Sequence, residues 1–281
     1  VKPMNFFKRY ASNLGALIGL IVLTLFVFVA LFADVLFPVS PWQSVGDPML
    51  APLEDSAFLL GTDMLGRDIA AGLAYGTRVS LLIGVVSTAV AVAMGVSIGA
   101  TAGFYGGRVD DILMRLTEFF QTIPALAMAI VLVAIFNPSI TSITIAIAVV
   151  AWPPVARLVR AEFLSIRSRE YVQAAIVIGQ TGPRIMLTQI LPNAISPIIV
   201  TASLMVATAI LTESSLSFLG LGDRNLMSWG FMIGAARTML REAWWMSVFP
   251  GLAILLTVLA INLIGEGLND AMNPHLRGRK G

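Results

Sequence analysis

From Phe119 to Ala156 the chain passes through 38 residues without one charged side chain. The hydrocarbon core of a bilayer takes about 20 apolar residues of helix, so this run exceeds one ordinary span. Asn137-Pro138-Ser139 interrupts it, because proline brings no N–H and asparagine and serine favour turns. Two spans follow, near Leu113–Phe136 and Ile140–Leu158. Both are much longer than the ~10 residues of a barrel strand, and a backbone in lipid must satisfy its own hydrogen bonds. The fold class is therefore all-α integral membrane.

The same reading places four more spans. Leu14–Ala33 follows Lys2, Lys8 and Arg9, shows no small-residue cleavage site and precedes Asp34, so it is expected to be retained rather than cleaved. The second span lies near Val79–Phe104, where Gly84, Gly95, Gly99 and Gly103 suit close helix packing in lipid. The fifth lies near Ala194–Thr212, with Pro197 in its first turns, and the sixth near Trp245–Ile264. Six transmembrane helices thus make one domain over residues 14–270, between an N-terminal segment 1–13 and a tail 271–281. Only 12% of the residues are charged, against about 25% in soluble domains.

Charge sets the expected orientation. With the N-terminus inside, thirteen of the 18 Lys and Arg residues fall on the inner side and five (Arg67, Arg78, Arg224, Arg237, Arg241) on the outer. Cytoplasmic segments carry such an excess, so both termini are expected in the cytoplasm. Trp42 and the pair Trp244-Trp245 fall at outer boundaries, as an aromatic belt would.

Several chemistries have no residues to carry them. There is no cysteine, and the one histidine, His275, lies in the basic tail, so neither a metal site nor a nucleophile–base pair is expected. None of the three lysines follows a G-x-x-x-x-G run, which removes a Walker A phosphate cradle. The spans hold no chain of acids or histidines for a proton relay, and no pair of discontinuous helices is evident. A net charge of +2 gives no nucleic-acid patch. The chain is read as not catalytic by itself, with its energy supplied by a cytoplasmic partner.

Residues Arg169–Asn193 offer the contact. Tyr171, Ala174, Ala175 and Ile178 are spaced as one helix face, and Gly179, Gly182 and Pro183 are expected to end that helix. Helices that rest on lipid carry bulky apolar residues and many lysines. The small Ala-Ala face suits a protein surface better, with lipid contact as the alternative.

These residues also resemble a known signature. The loop motif E-A-A, three residues, G, nine residues, I-x-L-P of ABC-importer permeases is matched by Gln173-Ala174-Ala175, Gly179 and Leu191-Pro192, with Gln173 in place of glutamate and Gln189 in place of isoleucine. Leu60-Gly61-Thr62-Asp63, Gly66-Arg67-Asp68, Tyr75-Gly76-x-Arg78, Gly103-x-Tyr105-Gly106-Gly107, Leu216–Gly222, Trp229-Gly230 and Phe249–Asp270 resemble the dipeptide/oligopeptide/nickel permease family, in order and from about residue 14 to the end. The resemblance is to its second, shorter permease. Relatives have a Pro-Pro-x-Pro stretch where residues 223–228 read DRNLMS here.

The resemblance implies a type I ABC-importer permease fold and a coupling helix near residues 171–182 that meets an ATPase through Glu170, Tyr171, Gln173, Ala174, Ala175, Gly179, Leu191 and Pro192. It implies import of peptides or related small solutes across a bacterial or archaeal cytoplasmic membrane by alternating access. Implied partners are a second, different permease, two cytoplasmic ATPases that bind ATP and Mg, a periplasmic or extracellular substrate-binding protein, and lipid. No cofactor on this chain is implied. Glu213, Leu216, Phe218, Gly220 and Gly222 are expected at an outer gate, Glu213 facing either a cationic substrate group or an outer arginine. Asp63, Arg67, Asp68, Asp223 and Arg224 are candidate contacts for the binding protein, although Asp63 and Asp68 also suit helix caps. The competing reading is a stand-alone channel or membrane scaffold.

Overall fold

The structure, a computed structural model, describes residues 6–272. His275, Asn273-Pro274 and the terminal charges Lys2, Arg277, Arg279 and Lys280 lie outside the described residues. Among the described residues every regular element is a helix.

A short α1 (Phe6–Ala11) leads into α2 (Leu14–Leu31), which Asn13 starts by accepting a hydrogen bond from the Ala16 N–H at 3.1 Å. After α3 (Ala33–Leu36) the chain makes a folded loop whose turns use positive φ at Gly61 and Gly66. The Asp68 side chain caps α4 (Ile69–Tyr105), accepting from Ala70 N–H at 2.8 Å. Gly106 and Gly107, at φ +67 and +53, then turn the chain into α5 (Gly107–Thr122). Pro124 separates α5 from α6 (Ala125–Phe136), and the pair is bent by 85°. Ser139 and Ser142 form a capping box at the start of α7 (Ile140–Arg167). There follow α8 (Glu170–Val177), α9 (Gly182–Ile185), a π-type turn at Met186–Ile190, and α10 (Leu191–Leu216). A second π-type turn (Ser217–Leu221), α11 (Trp229–Ala236) and α12 (Trp245–Met272) complete the chain.

Among the described residues five helical segments are long and apolar enough to cross a membrane, and up to six if the bent pair α5–α6 counts as one span. That crossing was expected as one helix over Leu113–Phe136 and one unbroken span. It is two helices, because Pro124 has no N–H to donate and cannot continue α5. The other helices outrun their apolar stretches: α4 begins ten residues before Val79 and α7 runs on to Arg167. A helix does not stop where the hydrocarbon does, and its polar ends stand in water or against loops.

The bundle is built on the packing of α4 against α7. Gly95, Gly99 and Gly103 recur every four residues along α4, one glycine per turn facing α7. A Cβ at Gly95 would stand 2.5 Å from Val155 Cβ, and one at Gly103 2.7 Å from Phe163 Cβ. Removing the side chains lets the two backbones approach, which substitutes for a hydrophobic drive that lipid does not supply. Asn13 Nδ2 donates to Asp270 Oδ2 at 3.0 Å, so the start of α2 and the end of α12 lie together at one end of the bundle.

At the opposite end Trp245 is 6% exposed and donates Nε1–H to the Thr62 carbonyl at 3.1 Å. Trp42 packs edge-on against Phe231 with Arg67 over its ring. Of the three tryptophans expected in a lipid belt, only Trp244 is exposed. Trp245 gives its N–H to the folded loop between α3 and α4, and Trp42, within that loop, gives its ring to Phe231 and Arg67.

Candidate functional site

At one end of the bundle α8 lies across the ends of α4, α7 and α10. Arg169 precedes it in extended conformation, and Glu170 puts a negative charge on its first turn, where the helix dipole favours one. Gly179, at φ +81, ends the excursion. Gly182 and Pro183, expected to stop this helix, instead open α9, where proline at the first turn costs nothing. The helix proper is therefore Glu170–Val177, shorter than the expected 171–182.

The face expected as one stripe is divided. Val172 and Ala175 are buried, at 0% and 5% exposure, in a cluster with Phe104, Phe163, Ile166, Ile185 and Ile190. Tyr171, Ala174 and Ile178 point outward and are exposed. Ala175 thus lies on the buried side of α8 and not on its open face, because a helix laid on the protein must bury one side. Val172 was the missed anchor; its i, i+3 spacing from Ala175 was the available signal. Gln173 is exposed and donates Nε2–H to the Arg167 carbonyl at 2.8 Å. A glutamate there could not donate, so the glutamine fastens α8 to the last turn of α7. Gln189 is half-buried, while its neighbour Ile190 is fully buried. Leu191 and Pro192 begin α10, with Leu191 half-buried and Pro192 exposed.

Two charged contacts brace this end. Arg160 of α7 makes a two-pronged ion pair with Asp110 of α5, Nη2 to Oδ2 at 2.6 Å. Arg167 lies over the Phe104 ring, 5.7 Å from its centre.

The expected gate and contact residues lie at the far end. Phe218, Gly220, Gly222 and Arg224 line one shallow cleft of about 130 Å³ with Arg237. Gly220 takes φ +87, which ends the helical run there. Leu216 does not join them: it is fully buried with Ile83, Val133 and Ile143. Glu213 is 1% exposed, and its Oε1 accepts from Ser228 Oγ at 2.7 Å and Ser217 Oγ at 2.8 Å. No arginine pairs with it among the described residues. In place of an outer arginine, Glu213 meets serine hydroxyls, because α11 folds back over the end of α10 and those hydroxyls fill the carboxylate's bonds. Ser228 also caps α11 by accepting from Phe231 N–H at 3.0 Å, so one carboxylate holds three segments together.

The binding-protein candidates are largely occupied within the chain. Asp63 accepts from Leu65 and Arg67 N–H, forming a turn rather than a helix cap. Asp68 caps α4, and partial burial holds its carboxyl above the usual range. Arg67 lies over Trp42, 4.9 Å from the ring centre. Asp223 accepts from Ile140 N–H at 3.0 Å and so tethers its loop to the start of α7. Arg224 alone of the five is exposed. A groove of about 340 Å³ lies beside it, lined by Trp42, Tyr75, Arg78 and Asn225.

Residues 95–278 match the family described as binding-protein-dependent transport system inner membrane component. Residues 4–52 match the N-terminal TM domain of oligopeptide transport permease C. The chain is 42% identical over 279 residues to the di/tripeptide transport system permease protein DppC of Pseudomonas aeruginosa, covering 97% of this chain and 92% of that protein. The dipeptide transport system permease protein DppC of Escherichia coli K12 is 43% identical with the same coverage. The oligopeptide transport system permease protein OppC of Haemophilus influenzae is 37% identical, covering 95% and 86%. The fold is that of an inward-facing structure of the MetNI methionine ABC transporter, at TM-score 0.57 and 16% identity over 70% of this chain and 95% of that one. This is the type I ABC-importer permease fold.

Proposed function

The chain belongs to the binding-protein-dependent transport system inner membrane components, and from that premise we propose that it is the shorter of two different permeases in an ATP-driven importer of di- or oligopeptides. A permease of this family is a transport component and not a catalyst. The peptide class is taken from the relatives, which are named as dipeptide and oligopeptide permeases. In this reading residues 14–270 form half of the solute path, and α8, the N-terminal segment and the tail are cytoplasmic. Two ATPases carry ATP and Mg, and a binding protein delivers solute at the opposite end, where Arg224 and the cleft beside it are the available contacts.

The observation that carries the coupling role is the division of α8. Its inner side, Val172 and Ala175, is locked into a cluster shared by α4, α7 and α10, while Tyr171, Ala174 and Ile178 are open. Close-packed interiors transmit displacement instead of absorbing it. A push on the open face therefore reaches the long helices directly, and α8 cannot yield independently. Closure of the ATPases on ATP then rocks the bundle between its two openings.

Ala174→Arg tests this reading. Ala174 is exposed in the isolated chain, so folding and insertion of the single subunit should be unchanged. In the assembled importer, uptake of a labelled dipeptide should fall by about tenfold or more, since a fitted surface loses its contact to one bulky charge. Wild-type uptake in the Ala174→Arg assembly would rule out docking through this face.

A further inference from the structure

α5 carries charged side chains into a depth where lipid does not accommodate them. Measured along α7 from Ile140, a hydrocarbon core of about 30 Å takes ~20 residues of helix. Its midplane then falls close to Trp152 and its inner boundary close to Arg160. Asp110, near the start of α5, is paired with Arg160. Phe120, near its end, lies edge-on to Trp152 with ring centres 5.4 Å apart. α5 therefore runs from the inner boundary to the middle of the bilayer, where the chain breaks and turns through 85°.

Along this path Asp111, Arg115, Glu118 and Thr122 are spaced i, i+4, i+7 and i+11, one stripe of a helix, and all four are exposed. Neither Arg115 nor Glu118 forms an ion pair among the described residues. The adjacent stripe, Ile112, Leu116 and Phe119, is equally exposed but wholly apolar, at 66%, 45% and 62%. Two neighbouring faces of one helix thus call for two different surroundings. The apolar face suits lipid or another apolar surface, whereas a carboxylate near mid-bilayer requires water or a partner charge. The break makes the same demand independently. Pro124 has no N–H for the Phe120 carbonyl, and every residue from 121 to 127 is exposed. Irregular backbone at this depth is stable only inside protein or beside water.

We propose that the Asp111–Arg115–Glu118–Thr122 stripe lines the water-filled solute path. Arg115 and Glu118, one turn apart, are successive weak partners for the carboxylate and ammonium ends of a short zwitterionic solute. This rests on the reading above that the chain forms half of a peptide path. Weak, paired sites suit conduction, because a solute held tightly would not leave.

The absence of native cysteine makes the test direct. Single variants Arg115→Cys, Glu118→Cys and Thr122→Cys, and Ile112→Cys, Leu116→Cys and Phe119→Cys, are placed in the assembled importer in membranes. They are then treated with the membrane-impermeant, permanently charged (trimethylammonium)ethyl methanethiosulfonate. The first three should react about tenfold or more faster than the second three, since reaction requires a hydrated thiolate. Equal rates on the two stripes, or six unreactive positions, would overturn the water path. Glu118→Gln should raise the KM for dialanine uptake by roughly tenfold, with Glu118→Asp restoring it; an unchanged KM overturns the pairing with ammonium. Failure of the unsubstituted assembly to take up dialanine, with the stripe still labelled, would count against the peptide reading alone.

Discussion

Replacing Gly95 by alanine adds one methyl group at the contact between α4 and α7. That methyl would lie 2.5 Å from Val155 Cβ and 2.9 Å from the Trp152 carbonyl oxygen, whereas ordinary contact begins at 3.4 Å. Neither neighbour can swing aside, since a Cβ and a carbonyl are fixed by their backbone and Val155 is 1% exposed. The helices must separate by about 1 Å, and overpacking of this kind costs ~1–3 kcal/mol. Alanine returns up to ~1 kcal/mol through its better helix propensity. Set against the full gain, the net effect is a loss of about 0–2 kcal/mol. Gly251 supplies the control: it lies inside α12 with no atom within 4 Å of an added Cβ. Gly251→Ala should therefore be neutral or stabilising by up to ~1 kcal/mol. Thermal unfolding of the two purified variants in one detergent reads the difference. If Gly95→Ala proved as stable as Gly251→Ala, α4 and α7 would not be held at backbone contact, and the account of the glycine stripe would fail.

Asp34 accepts from Arg78 at 2.8 Å, and this bond, helped by Tyr75, holds its carboxyl below the ordinary value. A lowered folded value stabilises above the unfolded pKa of about 3.9, and that stability is lost as pH falls through the folded value. The difference in unfolding temperature between the wild type and Asp34→Asn should be constant from neutral pH to about pH 4 and vanish on further acidification; a difference that persisted undiminished in strong acid would contradict the ion pair. Glu213→Ala should lower stability by about 1–3 kcal/mol, because the Ser217 and Ser228 hydroxyls lose their acceptor in a closed space. Glu213→Gln, which keeps an acceptor oxygen, should lose less in the same melting experiment, and equal losses for the two would show that the hydroxyl bonds are not what Glu213 contributes.

Much of the fold was legible because lipid imposes a simple rule. A backbone without water must form helices, and about 20 apolar residues are needed to cross, so spans can be counted from hydropathy. The rule fails at Ile123-Pro124, where composition stays apolar through a break that only the missing proline N–H creates. It also misses how far α4, α7 and α12 extend beyond the hydrocarbon, since capping and loop packing end a helix, and hydropathy does not record them. The helix α8 was legible as an amphipathic segment with small residues. Which of its alanines faces outward was not, because Ala174 and Ala175 differ only in what lies beneath them.

The sequence by itself determined an all-helical membrane protein, the position of α8 between two apolar crossings, and the lack of a lysine after any G-x-x-x-x-G run. Each of these depends on residue type and spacing along one chain. The tertiary structure alone decided that Glu213 is enclosed by serines, that Asp223 tethers α7, that Trp245 serves the loop and not the lipid, and that Gln173 binds its own α7. Those outcomes depend on which distant segments come to lie together. Burial and hydrogen-bond partnership are properties of that juxtaposition, and the linear order of residues does not carry them.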